Sequence, residues 1–267
     1  MSIAHKNASR FGDFAGLYDR TRPACPAQAA DLLLRYLRRQ PQTVVDLGCG
    51  TGLSTLIWAD RARCVIGVEP SEGMLTLAKQ TAERAPNLRF VQAFSDRTGL
   101  ESRCADIVTC AQSFHWMEPV STLREINRLL KPGGLFAAYD CDWPPVACTE
   151  VELAYDTLFA KVSAIETQDA DFREAFVRYP KEQHLANLRE SGYFSYVREI
   201  IFSNTEFCDG GRFIHIALTQ GGLQAILTRK PELLEPELQD FRLTVGRCFG
   251  ETTQEIVFCY RLRLGVK

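Results

Sequence analysis

Val44-Val-Asp-Leu-Gly-Cys-Gly-Thr-Gly52 sets two β-branched apolar residues and an acid ahead of three glycines at alternate positions. An apolar strand that breaks into glycines brings bare backbone up to a ligand, because no Cβ stands in the way. The sequence predicts a helix directly after the glycines, with Leu53, Leu56 and Ile57 on one face and its N-terminal N–H groups aimed at the same place. A second apolar strand, Cys64-Val-Ile-Gly-Val, ends in Glu69, 21 positions beyond Gly48. A carboxylate there is placed to accept both hydroxyls of a ribose, as in doubly wound nucleoside-binding folds. The two strand ends together imply a nucleoside-containing ligand.

The spacing narrows which one. A nicotinamide-binding loop reads G-x-G-x-x-G, whereas Gly48, Gly50 and Gly52 follow G-x-G-x-G and Leu53 stands where the third glycine would be. Asp46, just before the loop, suits an ammonium or a sulfonium better than a diphosphate.

Outward from that stretch, strands and helices alternate. An amphipathic helix over 26–39 carries Ala30, Leu33, Leu34 and Leu37 on one face. Strands are predicted at 43–47, 64–69, 88–91, 106–111 and 135–139. Ser71 caps a helix with Met74, Leu77 and Ala78 inward, and a helix over 121–131 stops at Lys-Pro-Gly-Gly. This rhythm predicts a doubly wound α/β fold, a parallel sheet with helices on both faces. Residues 149–190 look helical, with Leu153, Asp156–Phe159 and Val162 as candidate inward positions. Two later strands, 197–207 and 256–264, are separated by about 45 residues rich in helix formers.

Composition bounds the remainder. A chain of 267 residues fits one α/β domain with insertions. A formal charge of −2 gives no basic footprint for a polyanion. No apolar run reaches signal-peptide or membrane-span length, so a soluble, cytoplasmic protein with no membrane partner is expected. The ten cysteines are scattered without C-x-x-C spacing, and no histidine lies at ligand spacing from them, which predicts reduced structural thiols and no metal site.

Four stretches in order, VVDLGCGTG at 44–52, GVEPS at 67–71, DIVTCAQSFHW at 106–116 and REINRLLKPGG at 124–134, resemble the class I S-adenosylmethionine-dependent methyltransferases. The group resembled most is the small-molecule type 11 set that includes the trans-aconitate methyltransferase-like proteins. The resemblance implies a Rossmann-like seven-stranded sheet of order 3-2-1-4-5-7-6 with the last strand antiparallel. It implies one methyltransferase domain over 1–267: an N-terminal lid and helix (1–40), a cofactor-binding core (41–142), helical substrate-lid insertions (143–190 and 208–253) and final strands (191–207 and 254–267).

The cofactor implied is S-adenosyl-L-methionine. By resemblance Asp46 orients its amino group, directly or through water, and Gly48, Cys49, Gly50 and Gly52 pass beneath it. Glu69 grips the ribose, and Met74 or Pro70 covers the adenine. Phe94 stands where the family often has an acid, so the adenine edge falls to Asp96, to the Ser95 backbone or to water. Ala111 and Gln112 flank the methionine. Tyr18 and Arg22 belong to a stretch like the family's N-terminal lid and suit the methionine carboxylate or an acidic substrate group. Methyl transfer is an in-line displacement, so the protein orients the acceptor and, where needed, removes a proton. His115 is a candidate base or, with Trp116, a pocket wall. Asp142 and Trp143 either meet the substrate or turn the chain into the insertion. His184 and His215 read as structural.

The Asn/Asp-Pro-Pro-aromatic run of nucleic-acid amino methyltransferases is absent after the fourth strand, where the chain has Ala111-Gln-Ser-Phe114. A small-molecule acceptor is therefore expected, not a nucleic acid, and a monomer or homodimer. The rival classes are a nicotinamide-dependent oxidoreductase and a non-catalytic binding relative.

Overall fold

The structure, a computed structural model, describes residues 21–83, 85–173 and 177–267. In chain order the elements are α1 (Ala27–Leu37), β1 (Thr43–Leu47), α2 (Leu53–Leu56), β2 (Cys64–Glu69), α3 (Glu72–Ala82), β3 (Leu88–Gln92), β4 (Ala105–Ala111), α4 (Pro119–Leu129) and β5 (Leu130–Cys141). They continue with α5 (Thr149–Gln168), α6 (Ala170–Arg173), α7 (His184–Glu190), β6 (Tyr196–Cys208), α8 (Gly210–Leu218), α9 (Gly221–Arg229), α10 (Glu235–Phe249) and β7 (Gln254–Val266).

The seven strands form one sheet of order β3-β2-β1-β4-β5-β7-β6. β1 to β5 run parallel, and β7 pairs antiparallel with both β5 and β6. This is the Rossmann-like order that the resemblance implied. Strand order reverses between β1 and β4, and open α/β sheets bind ligands beyond the strand ends at such a switch point.

Side chains alternate across the sheet and feed two apolar layers. Val44, Val65, Ile107 and Leu135 face α1, α5 and α8–α10, while Val45, Leu47, Ile66, Val108 and Phe136 face α4 and α7. On β7 the alternation read from the sequence holds: Ile256, Phe258, Tyr260, Leu262 and Leu264 are all buried.

Two local expectations fail. The helix after the glycines is a single turn, Leu53–Leu56, whose buried residue is Thr55, and the chain then turns over residues 57–61, past the fully buried Trp58. Thr55 is buried with its hydroxyl donating to Asp46, while Leu56 and Ile57 of the expected apolar face pack against the core from partly buried positions. On α5 the inward stripe is Val151, Ala154, Tyr155, Leu158, Val162 and Ile165, and Leu153 is 62% exposed. Leu153 falls off a stripe that starts at Val151, given a helix that begins at Thr149.

Gly67, inside β2, was not singled out by sequence. A Cβ there would meet the Phe90 ring and come within 2.7 Å of Cys49 Sγ. Gly67→Ala is expected to cost about 1–3 kcal/mol of overpacking, read as a lower urea midpoint at unchanged m-value.

Candidate functional site

The loops that leave β1, β2, β4 and β5 border one cavity of about 1540 Å³, whose other walls come from Arg22–Pro26, α5, residues 178–185 and residues 220–222. That volume exceeds the roughly 300–1,000 Å³ typical of one small-molecule pocket, so two ligands fit side by side.

On the β1–β2 side the glycine loop is held open by its own backbone. Gly48, Gly50 and Gly52 all have positive φ, at 65°, 57° and 88°. Of the three, Gly50 alone has nothing within 4 Å of where a Cβ would lie, so bare backbone there borders open space. Gly52 does not line the cavity; a Cβ on it would strike Phe90, so its place is in packing. Glu69 ends β2 with its carboxylate tied into the loop, Oε2 accepting from Gly50 N–H (3.1 Å) and Oε1 from Ser71 N–H (2.9 Å). Burial raises its pKa, opposed by those two bonds. Each oxygen keeps a lone pair for a ligand hydroxyl.

Asp46 lies behind this wall and not on it. Its side chain accepts from Ser54 Oγ (2.6 Å), Thr55 Oγ1 (2.9 Å) and Thr109 Oγ1 (2.8 Å). Burial raises this carboxyl as well, and the three hydroxyls pull it back. Ser54 stands between Asp46 and the cavity, a lining residue that the sequence reading missed; the signal was a Ser-Thr pair shortly past the last glycine.

Cys49, Pro70, Met74, Ser95, Asp96, Ala111 and Gln112 all line the cavity. Gln112 takes a left-handed φ of 55°, and its N–H donates to Tyr139 O (2.9 Å). Tyr18 lies outside the described residues. Arg22 lines the far side, 5.3 Å over the Trp143 ring and donating to Thr219 O (3.2 Å).

The largest feature absent from the sequence reading is the charge cluster around Asp140, at the end of β5. This carboxylate is 2% exposed and sits among four basic side chains. His115 Nδ1 and Lys181 Nζ approach Oδ1 at 3.2 and 3.1 Å, and Arg263 Nη1 and His184 Nε2 approach Oδ2 at 3.3 and 3.8 Å. Burial alone would raise Asp140, but Lys181 and the two histidines hold it well below the usual carboxylate range. Burial pushes both His115 and His184 down to about 4, against the pull of Asp140. Both imidazoles are therefore neutral at pH 7 beside an ionised carboxylate.

His115 lines the cavity with Nδ1 turned to Asp140, which leaves Nε2 as the nitrogen for a ligand. Trp116, tilted against it with ring centroids 4.9 Å apart, shares that wall with Trp143. Asp142 also lines the cavity, but its carboxylate is engaged by Arg261 Nε at 2.8 Å. Tyr139, Tyr155, Phe159 and Tyr260 make the insertion side strongly aromatic.

The two buried histidines make stability depend on pH. Each folded-state pKa lies below its unfolded value near 6.5, so the unfolded chain takes up protons that the fold refuses. That part of the stability is complete above pH 6.5 and lost as pH falls toward 4. A tenfold difference in proton affinity between the two states corresponds to about 1.4 kcal/mol. Urea midpoints are expected to fall across that window, and less so in His184→Gln. The contribution of Asp140 is lost only below its ordinary value of 3.8, outside this window.

Residues 45–138 match the family described as "Methyltransferase domain". An uncharacterized methyltransferase of Mycobacterium bovis is 34% identical over 135 residues, 50% of this chain and 53% of its own. The probable S-adenosylmethionine-dependent methyltransferase CRG1 of Saccharomyces cerevisiae is 30% identical over 45% of this chain and 43% of its own. The chain thus spans about half the length of the curated relatives it matches. A solved structure of a proposed type II methyltransferase from Anaeromyxobacter dehalogenans superposes with TM-score 0.69 over 92% of this chain and 97% of that one, at 21% identity, a likeness of fold. The matched segment runs from β1 into β5 and carries the glycine loop, Glu69 and His115. The comparisons show a likeness to methyltransferases over that segment; they do not single out the trans-aconitate-like group. Among the described residues no helix is long and apolar enough to cross a membrane.

Proposed function

We propose that the chain transfers a methyl group from S-adenosyl-L-methionine to an oxygen, nitrogen or carbon nucleophile of a small molecule. The observation that carries this is the junction of Gly50 and Glu69: bare loop backbone and a buried carboxylate, hydrogen-bonded to each other, on one wall of a cavity with room for a second ligand. S-adenosylmethionine bound there supplies a methyl group already activated on a sulfonium.

The residues fit that group. Glu69 offers lone pairs to ribose hydroxyls, and Met74 and Pro70 offer an apolar surface for the adenine. Ser95 and Asp96 offer acceptors at the adenine edge. Asp46 acts on the methionine ammonium through the Ser54 hydroxyl. Leu53 stands where a dinucleotide-binding loop has its third glycine.

On the other wall His115 is the group to accept an acceptor proton at Nε2. Asp140 Oδ1, 3.2 Å from Nδ1, stabilises the imidazolium that forms. Trp116, Trp143 and the tyrosines bind the acceptor's body by stacking and exclude water. Asp142, ion-paired to Arg261, orients that arginine. The insertions 143–190 and 208–253 act as the lid, which favours a small acceptor over a nucleic acid.

Isotope transfer from methyl-labelled S-adenosylmethionine into a metabolite extract tests the reaction and names the acceptor. Labelled product is expected from the wild type, and its absence from every extract tried would favour the non-catalytic relative. Once an acceptor is known, His115→Ala is expected to lose about 100-fold or more in turnover at pH 7. Full turnover in that variant would leave His115 as a wall residue.

A further inference from the structure

Cys148 and Cys248 are 100 residues apart and match no ligand-spacing motif. The fold brings them together: Cys148 is the residue before α5, Cys248 is next to last in α10, and these two helices pack on one another. The two sulfurs and a carboxylate oxygen of Glu150 all lie within 4.8 Å of one another, and none of the three residues lines the cavity. We propose that Cys148, Glu150 and Cys248 form a site for a zinc-like divalent cation, separate from the cavity.

The geometry is close to what such an ion needs. Zinc binds thiolate at about 2.3 Å and carboxylate at about 2.0–2.2 Å, so tetrahedral donors stand roughly 3.5–3.8 Å apart. Closing from the observed spacing takes movements of about 1 Å. Both cysteines are half-buried and Glu150 is exposed, so the ion has an entry path and water can complete the shell. The start of α5 does not use Glu150 for capping, because Glu152 accepts the Ala147 N–H at 2.8 Å. Thiolate sulfur selects this class of metal over magnesium or calcium.

Electrostatics points the same way. Three donors that repel one another as anions become favourable together once a dication sits between them. The ion would take both sulfurs as thiolates, so affinity rises with pH. The ion would tie the start of α5 to the end of α10.

A second trio with ligand proximity, His115, Asp140 and His184, does not carry the same inference. Lys181 and Arg263 already hold its carboxylate, so the protein's own cations fill that role.

The test uses the reduced, chelator-treated full chain with Co²⁺ as a spectroscopic probe and Zn²⁺ as competitor. One equivalent of Co²⁺ is expected to give a near-ultraviolet thiolate-to-cobalt charge-transfer band, bleached by Zn²⁺. Cys148→Ser and Cys248→Ser should each lose the band, and Glu150→Gln should weaken binding, with far-ultraviolet circular dichroism unchanged. Absence of the band in the wild type overturns the proposal, as does a band that survives in the double serine variant, since eight other cysteines remain. So does a Cys148–Cys248 disulfide formed in air by protein that binds no cobalt when reduced. None of these readouts depends on methyl transfer.

Discussion

Asp140→Asn is expected to lower turnover by about 100- to 10,000-fold while leaving S-adenosylhomocysteine affinity unchanged. Asparagine keeps the shape of the side chain and removes the charge on which Lys181, Arg263 and His115 converge. His115 then loses the carboxylate that favours its imidazolium, and general-base assistance is worth about that range. The glycine loop and Glu69 make no contact with Asp140, which is why cofactor affinity should hold. Stability should fall by about 3–5 kcal/mol, because Lys181 and Arg263 are left near an uncompensated buried position. The Glu199 contact to Arg263, at 2.9 Å, keeps the loss toward the lower end. Turnover is therefore compared at a temperature where circular dichroism shows the variant folded. A folded variant with wild-type turnover would separate the charge cluster from the chemistry.

Glu69→Ala is expected to weaken S-adenosylhomocysteine binding on the order of 100-fold, measured by calorimetry. Two hydrogen bonds from a ligand to a charged acceptor contribute about 1.5–3 kcal/mol each, and the wall that supplies them would be gone. The variant also frees Gly50 N–H and Ser71 N–H, which the carboxylate now holds. Glu69→Gln separates the two effects: the amide oxygen can keep one backbone tie, and affinity should fall between wild type and Ala. Unchanged affinity in both variants would place the cofactor elsewhere.

What the sequence made legible was the part governed by short-range pattern. β1 and β2 were read to the residue because β-branched runs end in an acid and a turn. The strand order came from resemblance and not from periodicity. The reading was weakest where a buried polar bond overrides local preference. Thr55 turns inward with its hydroxyl on Asp46, and Asp46, held by three hydroxyls, lies off the cavity wall. Asp140 showed as one acid in Asp140-Cys-Asp142, with nothing local to set it apart from Asp142. The partners that distinguish them come from positions 115, 181, 184 and 263, and no local signal joins those. Cys148 and Cys248 are the same case at a distance of 100 residues.

Calorimetric titration of the wild-type chain with S-adenosylhomocysteine and, separately, with NADH tests the central claim most directly. A chain built to bind S-adenosylmethionine at Gly50 and Glu69 should show saturable one-to-one binding of S-adenosylhomocysteine, lost or strongly weakened in Glu69→Ala, and no binding of NADH. Saturable binding of NADH without binding of S-adenosylhomocysteine would contradict that claim.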